Sequence, residues 1–201
     1  MDDDGWDAYA ADWDDDEGAR AYAGAAFDGL LPLVREAGIG LDGARVIDFG
    51  CGTGLLTERL VAAGAVVDAV DTSPAMLRVL EDKVAARGMA GVTTSGTMPA
   101  SGRDHDLIVC SSVCSFLDDY PGAVVDLVAR LRPGGLFVQW DWERGDDDDH
   151  GLSRAEIGDA LGAAGLEDIV VEVAFDVTVD GEAMRPLVGH GRRPATGPEI
   201  S

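Results

Sequence analysis

The stretch that decides the fold is RVIDFGCGTGLLTERLVAAGAVVDAVDTSPAML, from Arg45 to Leu77. Its apolar run from Arg45 to Phe49 predicts a buried strand, and the pattern from Leu55 to Ala63 predicts a helix. Three glycines at every second position separate the two, namely Gly50, Gly52 and Gly54. Such a turn has no Cβ atoms in the way, so a ligand can contact its backbone N–H groups and the helix N-terminus. The stretch therefore predicts a ligand site at this turn.

An acidic residue follows the next predicted strand. Asp71 comes directly after the apolar run from Ala65 to Val70. Ligands of such sheets bind beyond the carboxyl ends of the strands, so we expect Asp71 in the same crevice as the glycines. A carboxylate there suits two vicinal ribose hydroxyls, which are paired donors. The alternative is that Asp71 caps the helix from Pro74 to Arg87. Thr72 or Ser73 fills that role better, so we predict a nucleoside-containing ligand.

The rest of the chain alternates between strand and helix patterns. The predicted strands span Arg45–Phe49, Ala65–Val70, Val92–Ser95, Asp106–Ser111, Leu136–Trp140, Ile169–Phe175 and Arg185–Gly189. The predicted helices span Glu17–Ala37, Leu55–Ala63, Pro74–Arg87, Pro121–Leu131 and Ser153–Ala164. The last of these opens with a capping box, and RPGG at Arg132–Gly135 predicts a turn. Strands that alternate with helices of this length predict a doubly wound, parallel α/β sheet.

The composition favours one compact domain. The chain has 201 residues, of which 46% are hydrophobic, and a formal charge of -23 from 38 acidic and 15 basic residues. This charge repels nucleic acid and anionic membranes, so we expect neither as a partner. Long apolar runs and a secretory signal are absent from the sequence, which favours a cytoplasmic protein. We expect a monomer or a homodimer. An odd number of cysteines without a CxxC pair argues against a disulfide framework or a zinc site.

The glycine spacing excludes two common nucleotide motifs. The dinucleotide pattern G-x-G-x-x-G needs a third glycine where the chain has Leu55 or Thr57, depending on the frame. A P-loop needs Gly-Lys-Ser/Thr, which does not occur. Asp48 precedes the first glycine, where it would repel a pyrophosphate and suit a cationic amino group.

The ordered set of motifs resembles the class I S-adenosylmethionine (SAM)-dependent methyltransferases. The segments that carry the resemblance are VIDFGCGTG (46–54), VDTSPAML (70–77), DLIVCSSVCSFLDD (106–119) and LRPGGLFV (131–138). The resemblance implies a Rossmann-like methyltransferase fold, a seven-stranded, mostly parallel sheet whose last strand is antiparallel. It also implies SAM as the cofactor and S-adenosylhomocysteine (SAH) as the product.

The resemblance further implies a set of cofactor-binding residues. Asp48 and the glycines are expected near the methionine end of the cofactor, Asp71 on the ribose and Met76 beside the adenine. Thr97 stands where many members carry an acid, so the adenine contact is expected to fall to the backbone of Thr97 and Met98. The full predicted set is Asp48, Gly50, Cys51, Gly52, Gly54, Asp71, Thr72, Met76, Thr97, Met98 and Ser111.

The sequence assigns no catalytic residue. Methyl transfer from a sulfonium is an in-line displacement, which needs a general base only if the acceptor must lose a proton. Candidates for the substrate cleft lie at the ends of the fourth and fifth strands and in the N-terminal segment: Tyr9, Trp13, Ser112, Trp140, Asp141, Trp142 and Glu143. One tryptophan of the pair could instead pack beneath the sheet, and the N-terminal segment could be a simple amphipathic cap.

We therefore predict a single domain over residues 1–201 that transfers a methyl group from SAM to a small molecule. Residues 1–40, an acidic lead-in and a helix, are expected to cover the cofactor cleft. His150 follows four aspartates, but such acidic loops are usually only solvated, and we predict no metal. Two alternatives stay open, an NAD(P)-dependent oxidoreductase on a related fold and a non-catalytic SAM-binding module.

Overall fold

The structure, a computed structural model, describes residues 4–98, 104–145, 151–179 and 182–195. The acidic loop that ends at His150 lies outside these ranges. The helices are α1 (Asp4–Asp7), α2 (Glu17–Glu36), α3 (Leu55–Ala62), α4 (Pro74–Arg87), α5 (Tyr120–Val128) and α6 (Arg154–Ala163). The strands are β1 (Arg45–Phe49), β2 (Val66–Val70), β3 (Val92–Ser95), β4 (His105–Ser111), β5 (Leu131–Asp141), β6 (Glu167–Val173), β7 (Val177–Val179), β8 (Glu182–Met184) and β9 (Leu187–Arg192). Single 3-10 turns occur at Trp13–Asp15 and Cys114–Phe116.

Seven strands form one sheet in the order β3-β2-β1-β4-β5-β9-β6. The first five are parallel, and β9 is antiparallel to both of its neighbours. This confirms the predicted fold class, including the antiparallel last strand. The strand order reverses between β1 and β4, and crevices at such a point are where open α/β sheets bind ligands. A separate two-stranded hairpin, β7 with β8, was not predicted.

Alternation along the strands divides the core into two layers, one on each face of the sheet. Val46 packs in the layer under α2, α3 and α4, and its neighbour Ile47 packs in the layer under α5 and α6. Both side chains are fully buried, because helices cover both faces of the parallel sheet at its central strands. This two-sided burial explains why the central strands read as continuous apolar runs.

Helix starts follow the expected capping chemistry. Ser73 accepts a hydrogen bond from the Met76 N–H and begins α4, with Pro74 in the first turn. Ser153 and Glu156 form the predicted capping box of α6, since each side chain bonds the backbone N–H of the other. None of the helices in the described ranges has both the length and the apolar character that crossing a bilayer requires.

Strand β5 is longer at both ends than predicted. Leu131 already pairs with His105, and the register then shifts so that Leu136 pairs with Leu107. The predicted turn at Arg132–Gly135 is therefore an irregularity inside the strand, where Gly134 adopts a φ of +76°. At the other end the strand continues to Asp141, which changes the place of the residues that follow the apolar run.

Candidate active site

A cleft of about 640 Å³ opens at the carboxyl ends of the central strands. The residues that follow β1, β2, β4 and β5 all contribute to its lining, together with the start of α2 and part of the segment before it. It therefore lies at the point where the strand order reverses, as the topology predicts.

The three glycines of the β1–α3 turn have different reasons to be glycine. A Cβ on Gly50 would lie 2.5 Å from the Val113 Cβ, and a Cβ on Gly54 would lie 2.4 Å from the Leu80 Cδ1. Packing within the protein excludes side chains at both positions. A Cβ on Gly52 would meet only the Met76 sulfur, at 4.0 Å, so this position faces the cleft. All three have positive φ, which favours glycine.

Asp48 is a fully buried carboxylate in the wall of the cleft. Its Oδ2 accepts a 2.5 Å hydrogen bond from the Thr57 hydroxyl, whereas Oδ1 has no partner among the described residues. Burial raises the pKa of this carboxyl from 3.8 to about 7, and Asp71 raises it further while Thr57 lowers it. A buried acceptor without a partner is costly, so the arrangement fits a ligand that brings a cationic donor.

Asp71 links the second strand to the glycine turn. Its Oδ2 accepts from the Gly52 N–H at 2.8 Å, and its Oδ1 accepts from the Ser73 N–H at 2.8 Å. As expected, Ser73 and not Asp71 is the N-cap of α4. Burial raises the pKa of Asp71, and the two N–H bonds oppose that shift. Each oxygen keeps a lone pair for a further donor from the cleft.

Eight of the eleven predicted cofactor-binding residues line the cleft: Asp48, Gly50, Cys51, Gly52, Asp71, Thr72, Met76 and Ser111. Gly54, Thr97 and Met98 are outside its lining. Gly54 is buried and begins α3, so its role is structural. Met98 packs against the core layer under α5 and α6, and Thr97 bonds back to the Ser95 hydroxyl. The predicted contacts of the Thr97 and Met98 backbone with an adenine stay predictions.

Of the seven substrate candidates, Trp13, Ser112 and Trp142 line the cleft. Tyr9, Trp140, Asp141 and Glu143 do not. The extension of β5 to Asp141 explains two of these corrections, because strand residues alternate between faces. Trp140, 1% exposed, lies in the core layer under α2, and Asp141 points to the opposite layer. Trp142 is the first residue beyond the strand and reaches the cleft.

The other two corrected candidates lie on the surface. The Tyr9 side chain is 55% exposed, and its ring contacts the ring of Trp6 within the N-terminal segment. Glu143 is exposed and forms an ion pair of 2.8 Å with Arg154 at the start of α6. Neither side chain is placed to contact a molecule in the cleft.

Asp141 belongs to a buried polar network beneath the cleft. Its Oδ1 accepts from the Ser115 N–H at 3.1 Å, and its Oδ2 accepts from the Gln139 side-chain amide at 3.1 Å. Gln139 in turn accepts a 2.8 Å bond from the Tyr120 hydroxyl. Burial raises the pKa of Asp141 to about 7, and the Ser115 N–H opposes this shift. Asp141 thus resembles Asp48 in burial but has a partner for each oxygen.

Sequence reasoning missed two aromatic residues of the cleft, Trp6 and Tyr22. Phe116, which follows the fourth strand, also lines the cleft, and the Trp6 ring contacts both Trp13 and Phe116 in edge-to-face geometry, at 5.9 and 5.3 Å. Tyr22 shares a helix face with the buried Leu30, eight residues later, so helical spacing could have placed it in the interior. The spacing does not indicate that Tyr22 extends over the ends of β4 and β5.

The N-terminal segment is held by two aspartates. Asp7 accepts hydrogen bonds from the Ser73 hydroxyl and from the Ala75 N–H, the latter at 3.3 Å, at the start of α4. This position is electrostatically favourable for an anion. Asp14 accepts a 2.6 Å bond from the Thr53 hydroxyl in the glycine turn.

Asp14 also contacts Lys83, the one lysine of the sequence. The Lys83 Nζ lies 2.8 Å from Asp14 and 2.5 Å from Glu58, and its side chain is only 11% exposed. This partly buried cluster joins the N-terminal segment, α3 and α4 beside the cleft.

Residues 47–137 match a family model described as a methyltransferase domain. An uncharacterized methyltransferase of Mycobacterium tuberculosis is 34% identical over 152 residues, which is 75% of this chain and 56% of that protein. A ubiquinone biosynthesis O-methyltransferase of Xylella fastidiosa is 36% identical over 140 residues, 65% of this chain and 55% of that protein. The chain spans about half the length of these curated relatives.

Solved structures show the same fold. Magnesium protoporphyrin IX methyltransferase from Synechocystis PCC 6803 with bound SAM has a TM-score of 0.64 and 20% identity, over 84% of this chain and 78% of that one. The [4+2]-cyclase SpnF has a TM-score of 0.68 and 20% identity, over 84% and 81%. The fold is therefore that of the SAM-dependent methyltransferases, and the sequence of residues 47–137 matches a methyltransferase domain.

Proposed function

We propose that the protein binds SAM in this cleft and transfers its methyl group to a small-molecule acceptor. The observation that carries the proposal is the buried carboxylate of Asp48, a lining residue of the cleft whose Oδ1 has no partner among the described residues. SAM carries an ammonium group, which would donate to Oδ1 and offset the cost of burying the carboxylate.

The other residues of this half of the cleft fit the rest of the cofactor. Asp71 has lone pairs available for two ribose hydroxyls, and Gly52 leaves its backbone open to close approach. Met76 is buried beside Gly52 and supplies an apolar surface for a flat ring. A pyrophosphate would find no positively charged side chain among the described lining residues, which disfavours NAD(P).

When bound, the cofactor would supply a methyl group on a sulfonium. The chain's own part is to hold the reactants in line and to exclude water. Trp6, Trp13 and Phe116 form an aromatic wall over the cleft, which favours exclusion of water from the reacting centre. Methyl transfer needs a general base only where the acceptor atom loses a proton, and the proposal assigns that role to none of the described cleft residues.

Calorimetric titration with SAM and SAH tests the proposal, followed by a methyl-incorporation assay with small-molecule acceptors. We expect micromolar binding of both and methyl transfer to at least one acceptor. NAD binding without SAM binding would support an oxidoreductase instead. SAM binding without transfer to any acceptor would favour a non-catalytic module or another reaction, and a [4+2]-cyclase with this fold is a solved example.

Three further points belong to this proposal. We propose that residues 1–201 form a single domain in which the N-terminal residues 1–40 cover the cofactor cleft. We also propose a cytoplasmic location, which the three free, buried cysteines support because a reducing compartment keeps thiols unpaired. We further propose that the protein is a monomer or a homodimer and that it does not bind nucleic acid. The net charge of -23 supports the second point, because it repels polyanions.

A further inference from the structure

A second residue that lines the cleft carries a buried polar atom without a partner among the described residues. The Tyr22 side chain is 9% exposed and lines the cleft from α2. Its hydroxyl forms no hydrogen bond within the described residues, although Ser112 stands near it without meeting hydrogen-bond geometry. A buried hydroxyl without a partner costs free energy, so its presence in a cleft indicates a ligand group that completes the bond.

Tyr22 lies in the half of the cleft that the cofactor residues leave open. Its ring packs against Trp142, which follows β5, at 5.1 Å, and against Phe175, which follows β6, at 5.3 Å. The cofactor residues Asp48 and Asp71 instead follow or end β1 and β2. In the sheet, β4 and β5 lie on the far side of β1 from β2. Tyr22 therefore lies on the side of the cleft away from Asp71, where room for an acceptor remains.

Ser112 and Trp142 complete the surroundings of the Tyr22 hydroxyl. The Trp142 indole N–H donates to the Ser112 hydroxyl at 3.1 Å. Ser112 adopts a φ of +56°, a conformation that is uncommon for serine and that clusters at functional sites. Its backbone N–H donates to the Trp140 carbonyl at 2.7 Å, which holds it in this conformation. The rings and the two hydroxyls thus form a rigid wall.

The charge of the lining restricts the acceptor. The described lining residues include four carboxylates and neither a lysine, an arginine nor a histidine; the carboxylates are Asp16, Asp48, Asp71 and Asp118. A phosphate or carboxylate on the acceptor would therefore enter the cleft without a counterion. The aromatic rings of Tyr22, Trp142 and Phe116 favour flat or cationic molecules.

We propose that Tyr22 is the hydrogen-bonding anchor of the acceptor, and that the acceptor is a flat molecule without negative charge that carries a hydroxyl or amine. This inference rests on the proposed methyltransferase function and specifies its substrate class. The hydroxyl of Tyr22 holds the acceptor through a hydrogen bond to the hydroxyl or amine of the acceptor.

The protonation of Tyr22 agrees with an anchoring role. Burial raises the pKa of this phenol well above its ordinary value, and the neighbouring Asp141 and Cys114 raise it further, while Ser112 acts in the opposite direction. The hydroxyl therefore stays protonated at neutral pH and can donate a hydrogen bond. It does not serve as a general base.

The test uses three probes with the same ring system: naphthol, naphthylmethylamine and naphthoate. Each is titrated by calorimetry into the protein saturated with SAH. We expect naphthol and naphthylmethylamine to bind about tenfold more tightly than naphthoate. Tyr22→Phe should weaken naphthol binding roughly 3- to 10-fold, the effect of one hydrogen bond, and leave SAH binding unchanged.

A matched control comes from a second buried tyrosine. Tyr120 is 6% exposed, but its hydroxyl is bonded to Gln139 at 2.8 Å and it does not line the cleft. Tyr120→Phe should lower the melting temperature and leave naphthol binding unchanged. Tyr22→Phe should not lower the melting temperature of the free protein, because it removes a hydroxyl without a partner.

Three outcomes would overturn the inference. Naphthoate binding as tightly as naphthol would contradict the substrate class. Unchanged naphthol affinity in Tyr22→Phe would remove Tyr22 as the anchor. Weaker SAH binding in Tyr22→Phe would mean that the hydroxyl holds the cofactor instead. A wild-type protein that does not bind SAH would contradict the proposed function itself, which separates the two failures.

Discussion

The Thr57 hydroxyl bonds one oxygen of the Asp48 carboxylate at 2.5 Å, and the other oxygen of this cleft-lining residue has no partner among the described residues. We predict that Asp48→Asn stabilises the free protein at pH 8 by on the order of 2 kcal/mol, because it removes a buried charge. The same change should weaken SAM binding at least about tenfold, since the amide cannot accept from an ammonium as a carboxylate does. Thermal unfolding and calorimetry measure the two effects.

Asp141→Asn is the matched control for this prediction. Asp141 is equally buried and its pKa is also about 7, but both oxygens have partners and it lies outside the cleft lining. SAM affinity should stay at the wild-type value in this variant. Loss of SAM affinity in both variants would mean that the effect of Asp48 is structural.

The raised pKa of Asp48 also predicts a pH dependence. The carboxyl has a pKa of about 7 in the folded chain against an ordinary value of 3.8, so the folded state binds the proton more tightly. Its contribution to the free energy of unfolding is complete below the lower value, falls as the pH rises, and is lost above about 7. A cation should bind the ionised form, so SAM affinity should rise between pH 6 and pH 8. Asp48→Asn should flatten both profiles, measured by chemical denaturation and calorimetry.

Two glycines of the β1–α3 turn should respond differently to substitution, because Gly54 packs against the protein and Gly52 faces the cleft. Gly54→Ala should reduce the free energy of unfolding by about 3 kcal/mol, because its Cβ would lie 2.4 Å from Leu80. Gly52→Ala should cost only about 1 kcal/mol, the strain of its φ of +53°, because its Cβ enters the open cleft. That Cβ should nevertheless reduce SAM affinity strongly. Equal affinity in wild type and Gly52→Ala would show that the ligand does not approach this backbone.

Asp71→Ala should weaken SAM and SAH binding by at least about tenfold, because it removes the proposed ribose acceptor and the bond to the Gly52 N–H. Asp68→Asn provides the comparison, in the middle of the strand that Asp71 follows. Asp68 lies 2.9 Å from the buried His105, so this variant should lose stability but keep its affinity. Calorimetry and thermal unfolding distinguish the two variants.

Asp14→Asn should loosen the N-terminal segment. The change weakens the contacts to Lys83 and Thr53, and we expect faster amide hydrogen exchange over residues 6–16 together with faster SAH dissociation. The wild-type protein should show the same trend at high salt, less strongly, because Lys83 is 11% exposed. Asp15→Asn, at the exposed neighbour, serves as the control. Similar exchange in both variants would show that the Lys83 contact does not hold the segment.

Much of the fold was predictable because it depends on local pattern. The bounds of β1, β3 and α4 agree with the prediction, since glycine turns and helix caps mark them in the sequence. The end of β5 was not predictable, because QWDWE has no turn residue to stop a strand and pairing with β9 extends it to Asp141. The alternation of side chains places Trp140 in the core, and the extension to Asp141 leaves Trp142 as the first residue beyond the strand, at the cleft.

The sequence by itself determined the order of the elements, the glycine turn, and the acids at the ends of β1 and β2. These features depend on neighbours within a few residues, which the chain order specifies. Only the tertiary structure decided which aromatic rings enclose the cleft and which polar atoms have no partner. Tyr22 and Ser112 are 90 positions apart in the sequence, and only the packing of α2 over β4 and β5 brings them to the same wall. Whether a buried hydroxyl has a hydrogen-bond partner depends on every group around that hydroxyl, so no sequence pattern reveals an unpaired one.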